Sequence, residues 1–159
     1  MFHTGCMRLD AELADVRSHG VLVIAGNTSS GRTALGLSML RETHLRGNVG
    51  AYLYGQDMPS KSFMKAAGTD ECLVGTVSCA EELVETVHAM VDNGATLIAV
   101  DTPEFIQTLG STRRLVGDTE VHSQDRCYYH MLTTVYDKLV EKDATLLLIV
   151  QTGMDVKNK

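Results

Sequence analysis

Gly26-Asn27-Thr28-Ser29-Ser30-Gly31-Arg32-Thr33 is the stretch on which the reading of this chain turns. It follows a short apolar run, Val21-Leu22-Val23-Ile24-Ala25, and opens a helical pattern. Strand, glycine-rich loop and helix, in that order, let successive backbone N–H groups face a phosphate at the positive end of a helix. The template G-x-x-x-x-G-K-[ST] is met at every fixed position except one, where Arg32 replaces Lys. Gly26 and Gly31 supply torsions and close approach, Ser29, Ser30 and Arg32 complete the cradle, and the Thr33 hydroxyl is placed for Mg²⁺. Arg keeps the positive charge but is a longer planar fork, whereas Lys is a compact point charge. Nucleotide binding is therefore expected to survive the exchange better than hydrolysis. The alternative is a plain glycine turn between a strand and a helix.

The chain has 159 residues and a formal charge of −6, so one α/β domain is the simplest expectation and bulk electrostatic coating of nucleic acid is disfavoured. The four cysteines, Cys6, Cys72, Cys79 and Cys127, form no C-x-x-C pair, which fits small residues in a reducing compartment. Cys127 and His130 lie a helical turn apart but lack a second ligand pair, so no zinc site is expected. No apolar run approaches the roughly 18–20 residues that span a membrane. The N-terminus shows no charged stretch followed by an apolar one. A cytoplasmic protein is expected.

Periodicity gives the element order. Leu9, Ala11, Leu13, Ala14 and Val16 suggest a short helix that ends at His19-Gly20. Residues 21–25 read as a parallel strand, apolar on both faces. Residues 33–46 read as a helix with Ala34, Leu37, Leu40 and Leu45 near one face, closed by Gly47-Asn48. Strands are expected at 51–54, 72–77, 96–100 and 145–150, and further helices up to Ala67, over 80–93 and over 123–142. The 80–93 helix carries Leu83, Val84, Val87, Met90 and Val91 on one stripe, and the 123–142 helix carries Tyr128, Leu132, Val135 and Leu139. Strands alternating with helices predict a mainly parallel sheet with helices on both faces.

Asp101 closes the apolar strand Leu97-Ile98-Ala99-Val100, the arrangement in which a carboxylate holds Mg²⁺ directly or through water. His3-Thr4-Gly5-Cys6-Met7-Arg8-Leu9-Asp10 is similar to the S-T-G-S-x-x-L-D lead-in of the RecA-type recombinase ATPase core, a P-loop NTPase fold. Thr28-Ser29-Ser30-Gly31-Arg32-Thr33 resembles that family's E-S-S-G-K-T loop, and the interval from Asp101 to Gln151 resembles that between its Walker B aspartate and its switch glutamine. Gly117-Asp118 and Arg126 resemble a Gly-Asp in the family's first DNA-binding loop and an Arg just beyond it. The resemblance covers nearly all of the chain.

It implies that Gln151 senses the γ-phosphate and that its strand lies between the P-loop strand and the Asp101 strand. Phe63 stands where the family stacks a Tyr on adenine, and Ser60 where it has an Asp near the base. Arg113 and Arg114 lie in or beside the first DNA-facing loop. Each has a plainer reading: Phe63 as a core aromatic, Arg113 and Arg114 as a solvated pair, Gln151 as an ordinary strand end.

Departures from the family pattern weaken the chemistry. Gln56 occupies the place of the catalytic Glu, and an amide is no general base at neutral pH. Asp57 is adjacent and is the candidate substitute, although neighbours in an extended segment point apart. Gly153 and Asp155 stand where the family is basic, and the second DNA loop reads as truncated across 152–159. The expectation is a single nucleotide-binding domain over residues 1–159, including a lead-in over 1–20, that binds ATP and Mg²⁺ with slow or absent hydrolysis. It would act in DNA recombination, repair or annealing, on single-stranded DNA and as a homo-oligomer or beside a recombinase-like partner. Two alternatives stand: a non-enzymatic scaffold reusing the fold, and an active ATPase of another branch.

Overall fold

Residues 3–14, 19–55, 58–103 and 121–152 are described by the computed structural model, with the backbone alone for 121–128. The elements run α1 (Met7–Glu12), β1 (Gly20–Gly26), α2 (Arg32–Leu45), β2 (Val49–Tyr54), α3 (Lys61–Ala67), β3 (Leu73–Thr76), α4 (Ala80–Asp92), β4 (Ala95–Asp101), α5 (Val121–Glu141) and β5 (Thr145–Gln151). The five strands form one sheet in the order β1-β5-β4-β2-β3, and every pairing is parallel. The strand carrying Gln151 therefore lies between the P-loop strand and the Asp101 strand, as the resemblance implies.

Side chains alternate between the two faces of a strand, and two apolar clusters divide along that alternation. Ala51, Leu53, Ile98, Val100, Leu146 and Leu148 pack against α4 and α5, on Leu83, Val87, Val91, Met131, Val135 and Leu139. Tyr52, Leu97, Ala99, Leu147 and Ile149 pack against α2 and α3, on Leu37, Met39, Leu40 and Met64. β5 is buried on both faces, which accounts for its unbroken run of apolar residues. α3 is fixed at both ends: the Ser60 hydroxyl accepts from the Phe63 amide at 3.2 Å, and Gly68 closes the last turn at φ 72°.

Two expectations about packing are corrected. On α2, Leu45 is 63 % exposed and Ala34 is also exposed, whereas Gly36 and Met39 join Leu37 and Leu40 at the interface. The cause is close approach: a Cβ on Gly36 would stand 2.5 Å from Ile149 Cδ1, so the helix lies on β5 along its glycine, with Leu37 and Leu40 buried beside it. Residues 21–25 read as a strand buried on both apolar faces, but β1 forms an edge among the described residues, with Val23 53 % exposed. The short helix α1 buries none of its residues. Val16 and the Tyr128 side chain lie outside the described residues.

The segment before β1 is tied to α2 by polar contacts. The Thr4 amide and hydroxyl both donate to Asp10 Oδ1 at 2.6 Å, and the Ser38 hydroxyl donates to the Thr4 carbonyl at 2.6 Å. The Thr4 hydroxyl, then the Thr4 amide, hold the Asp10 carboxyl below its ordinary range.

Two outcomes are expected. Leu147→Ala, deep in the interior strand β5, should lower unfolding free energy in urea by about 2–5 kcal/mol; a loss below about 1 kcal/mol would contradict the placement of β5. Because the folded Asp10 pKa is depressed, its stabilising effect is present above the unfolded value of about 4 and is lost as pH falls through the folded value. Acidification should therefore release amide protection around Thr4 and Asp10 in hydrogen exchange, and Asp10→Asn should abolish that pH dependence.

Candidate nucleotide site

Parallel pairing sends the C-terminal ends of all the strands to one edge of the sheet, and register decides what meets there. Gly26 pairs with Gln151, Asp101 with Ile149, and Tyr54 with Asp101. By alternation Asp101 shares a face with Leu97 and Ala99, and Gln151 with Leu147 and Ile149. That is the face covered by α2, whose first turn begins at Arg32. The loop, Asp101 and Gln151 are thereby brought together from three distant parts of the chain.

The loop leaves β1 at Gly26, where a Cβ would stand 2.7 Å from Ser30 Oγ, and the Ser30 amide donates to the Asn27 carbonyl at 3.2 Å. Ser29 has φ 62° and Gly31 φ 87°, left-handed torsions that fold the loop tightly before the helix. Gly31 costs nothing there, and open space surrounds it. The Leu35 amide donates to the Gly31 carbonyl at 2.9 Å, while the N-cap position offers no side-chain acceptor to the first-turn amides. Free first-turn donors and the positive end of a helix of 14 residues point at the same space.

Around this loop the polar side chains form two connected sets. In the first, Arg32 Nη2 donates to Gln151 Oε1 at 3.4 Å, and Gln151 Nε2 donates to Thr28 Oγ1 at 3.0 Å. The Thr152 amide donates to the Gly26 carbonyl at 3.0 Å, and its hydroxyl donates to Asn27 Oδ1 at 2.9 Å. Arg32 Nη1 is buried and has no hydrogen-bond partner among the described residues. A buried guanidinium N–H without an acceptor is costly, and an anionic oxygen at the loop would satisfy it.

In the second set, the Thr33 hydroxyl donates to Asp101 Oδ2 at 2.7 Å, and the Tyr52 hydroxyl donates to the same oxygen at 2.7 Å. Tyr52 is wholly buried. Burial first, then the Asp101 carboxylate, pushes its hydroxyl far above the ordinary phenol range, so it remains a donor at any physiological pH. One carboxylate and one hydroxyl are hard oxygen ligands of the kind Mg²⁺ takes when phosphate oxygens and water complete its shell. No cluster of three or more His, Cys, Asp or Glu suited to a metal occurs among the described residues. The site's oxygen chemistry fits Mg²⁺ beside a phosphate group, and the orphaned Arg32 nitrogen fits the phosphate.

The remaining candidate residues are dispersed. Ser60 is occupied as the N-cap of α3. Phe63 is 43 % exposed and lines, with Ala34, Ser38, Arg41, Ala66 and Ala67, a cavity of about 310 Å³ between α2 and α3. It is therefore not a core aromatic. Gln56, Asp57, Arg113, Arg114, Gly117 and Asp118 lie outside the described residues, as does the Arg126 side chain. Sequence reasoning missed Tyr52 and Thr28. The signal for Tyr52 is a polar-tipped aromatic in an otherwise apolar strand, since a buried phenol needs a partner.

No family model matches the chain. Over 158 aligned residues, 96 % of this chain, it is 27 % identical to a curated protein named Protein RecA from Helicobacter hepaticus and covers 46 % of that protein's length. The same extent aligns at 27 % identity with Protein RecA of Leptospira biflexa, covering 41 % of it. With Protein RecA of Helicobacter pylori strain P12 the identity is 28 % and the coverage 46 %. The chain thus spans a little under half the length of these curated relatives. Its weak similarity to RecA proteins runs along nearly all of its own length, and its parallel α/β fold is consistent with a RecA-like core.

Proposed function

We propose that the chain is a RecA-like nucleotide-binding unit that takes ATP with Mg²⁺ at the Gly26–Thr33 loop and hydrolyses it slowly or not at all. The observation that carries this reading is the convergence of Arg32 on Gln151 and of Thr33 on Asp101, beside a buried Arg32 nitrogen with no acceptor among the described residues. A plain glycine turn has no use for a half-buried cation and a fixed carboxylate at its mouth.

Each residue has a task that follows from its chemistry. The amides of Ser29, Gly31 and Arg32 would face the phosphates, and Arg32 would add a full positive charge. Thr33 directs its proton to Asp101 and so leaves its oxygen lone pairs for the cation. When bound, Mg²⁺ would neutralise phosphate charge. Gln151 is held between Arg32 and Thr28, where it can respond to whether an anion engages the guanidinium. Phe63 would lie against the base and Ser60 near it. Gln56, in the place of a general base, supports slow turnover, with Asp57 as the candidate substitute.

The process served would be DNA recombination, repair or strand annealing, in the cytoplasm and as an oligomer or beside a recombinase-like protein. The similarity to RecA proteins supports this. No helix among the described residues is long and apolar enough to cross a membrane. Arg113 and Arg114 are the proposed single-strand contacts.

Four measurements test the reading. A fluorescent ATP analogue should bind in the presence of Mg²⁺, and Arg32→Ala should weaken binding about ten- to a hundredfold, the worth of a charge-assisted contact. Phosphate release should stay close to background; rapid turnover abolished by Asp57→Ala would replace the weak-hydrolysis reading with an active enzyme that uses Asp57. If an Arg32→Ala/Thr33→Ala protein keeps its assembly and partner binding unchanged, the non-enzymatic scaffold reading is the right one. Binding to single-stranded DNA should fall steeply with salt and weaken in Arg113→Ala/Arg114→Ala; salt-insensitive or undetectable binding would remove DNA from the proposal.

A further inference from the structure

We infer that Tyr52 is a positioning residue for the cation site: together with Thr33 it saturates Asp101 Oδ2 and commits Oδ1 to the cation or a water on it. The inference rests on the reading of Thr33 and Asp101 as the cation-holding pair. Its own support is geometric.

A carboxylate oxygen has two lone-pair directions. On Asp101 Oδ2, one takes the Thr33 hydroxyl from the first turn of α2 and the other takes the Tyr52 hydroxyl from β2, both at 2.7 Å. Oδ1 accepts no hydrogen bond among the described residues. The two donors come from different elements, α2 and β2, so the rotation of the carboxylate about its terminal bond is held by two contacts. Thr33 alone would leave the group hinged on one contact.

The strand register explains why Tyr52 is suited to this. It pairs with Ala99, two residues before Asp101 and on the same face, and it is wholly buried beneath α2. Its ring packs in the apolar cluster while only its hydroxyl emerges at the base of the site. Phe would fill the same space and lose only the donor, which makes the role separable from packing. A fixed second partner that orients a ligand is worth most where the ligand itself is a single carboxylate.

Removing the hydroxyl has two opposed effects. The carboxylate gains charge density, which favours a cation, and it loses its fixed orientation, which disfavours one. The orientation term should prevail because the cation must be shared with Thr33, whose own geometry depends on the same oxygen.

The test is Mn²⁺ titration, read by electron paramagnetic resonance, of the full chain with a non-hydrolysable ATP analogue. Wild type, Tyr52→Phe and Asp101→Asn are compared. Tyr52→Phe should raise the half-saturating Mn²⁺ concentration about three- to tenfold, the worth of one hydrogen bond. If Asp101→Asn weakens Mn²⁺ binding while Tyr52→Phe matches wild type, or binds more tightly, the positioning role is overturned and the site reading stands. If Asp101→Asn binds Mn²⁺ as wild type does, the site reading itself fails. A measurement on the wild type covers the case of a variant that does not fold. With Mg²⁺ and the analogue added, the Tyr52 13Cζ resonance should keep its hydrogen-bonded position. A move to the free-phenol value would show that the hydroxyl leaves Asp101, and would overturn the inference.

Discussion

Parallel register is the constraint on which the site depends. Gly26 lies opposite Gln151, and Asp101 lies opposite Ile149, so three strands deliver a loop, a carboxylate and an amide to the same edge. Period-two alternation then turns Asp101 and Gln151 toward α2 rather than toward α4 and α5. A slip of one residue in β4 or β5 would carry its polar end to the opposite face and bury it among apolar side chains. The apolar faces hold the register: Leu146 and Leu148 belong to one layer, Leu147 and Ile149 to the other. Burial of such a side chain stabilises the fold by about 1.5–3 kcal/mol, more than a single polar contact at the site contributes. The core therefore positions the chemistry, and the site contacts refine it.

Much of this was legible in the residues. The alternation of short apolar runs with helical stripes led directly to a parallel α/β sheet, and Gly26 to Thr33 marked the junction of β1 and α2. Strand order was different, because nothing in the periodicity of β5 says that it inserts between β1 and β4. That came from the resemblance, and the pairings agree with it. Leu45 was misplaced because a helical stripe shows which residues are apolar but not where the sheet ends beneath them. Gly36, which counts for nothing in an apolar stripe, sets the approach of α2 to β5 through the space that it leaves empty. Val23 was misread because edge and interior strands of a parallel sheet can have the same composition.

The polar site was legible only in its fixed points. Thr33 and Asp101 could be marked from the motif and the strand end, and Gln151 from the resemblance, whereas Tyr52 showed only as a polar-tipped aromatic in an apolar strand, its role depending on a three-dimensional contact between β2 and the end of β4. Arg32 changes meaning in the same way. In sequence it is a departure from Lys; in the fold it is a forked cation with one nitrogen on Gln151 and another buried without a partner. A compact ammonium on the same stem would present its donors from one atom. The fork lets one side chain face the loop and the end of β5 together.

The central claim is that this loop receives a triphosphate together with its cation. The direct measurement is the backbone amide spectrum of the 15N-labelled chain, recorded before and after addition of MgATP. The account predicts large shifts at Ser30, Gly31, Arg32 and Thr33, with the Gln151 side-chain amide moving with them. Amides of the loop that stay in place at saturating MgATP would contradict it.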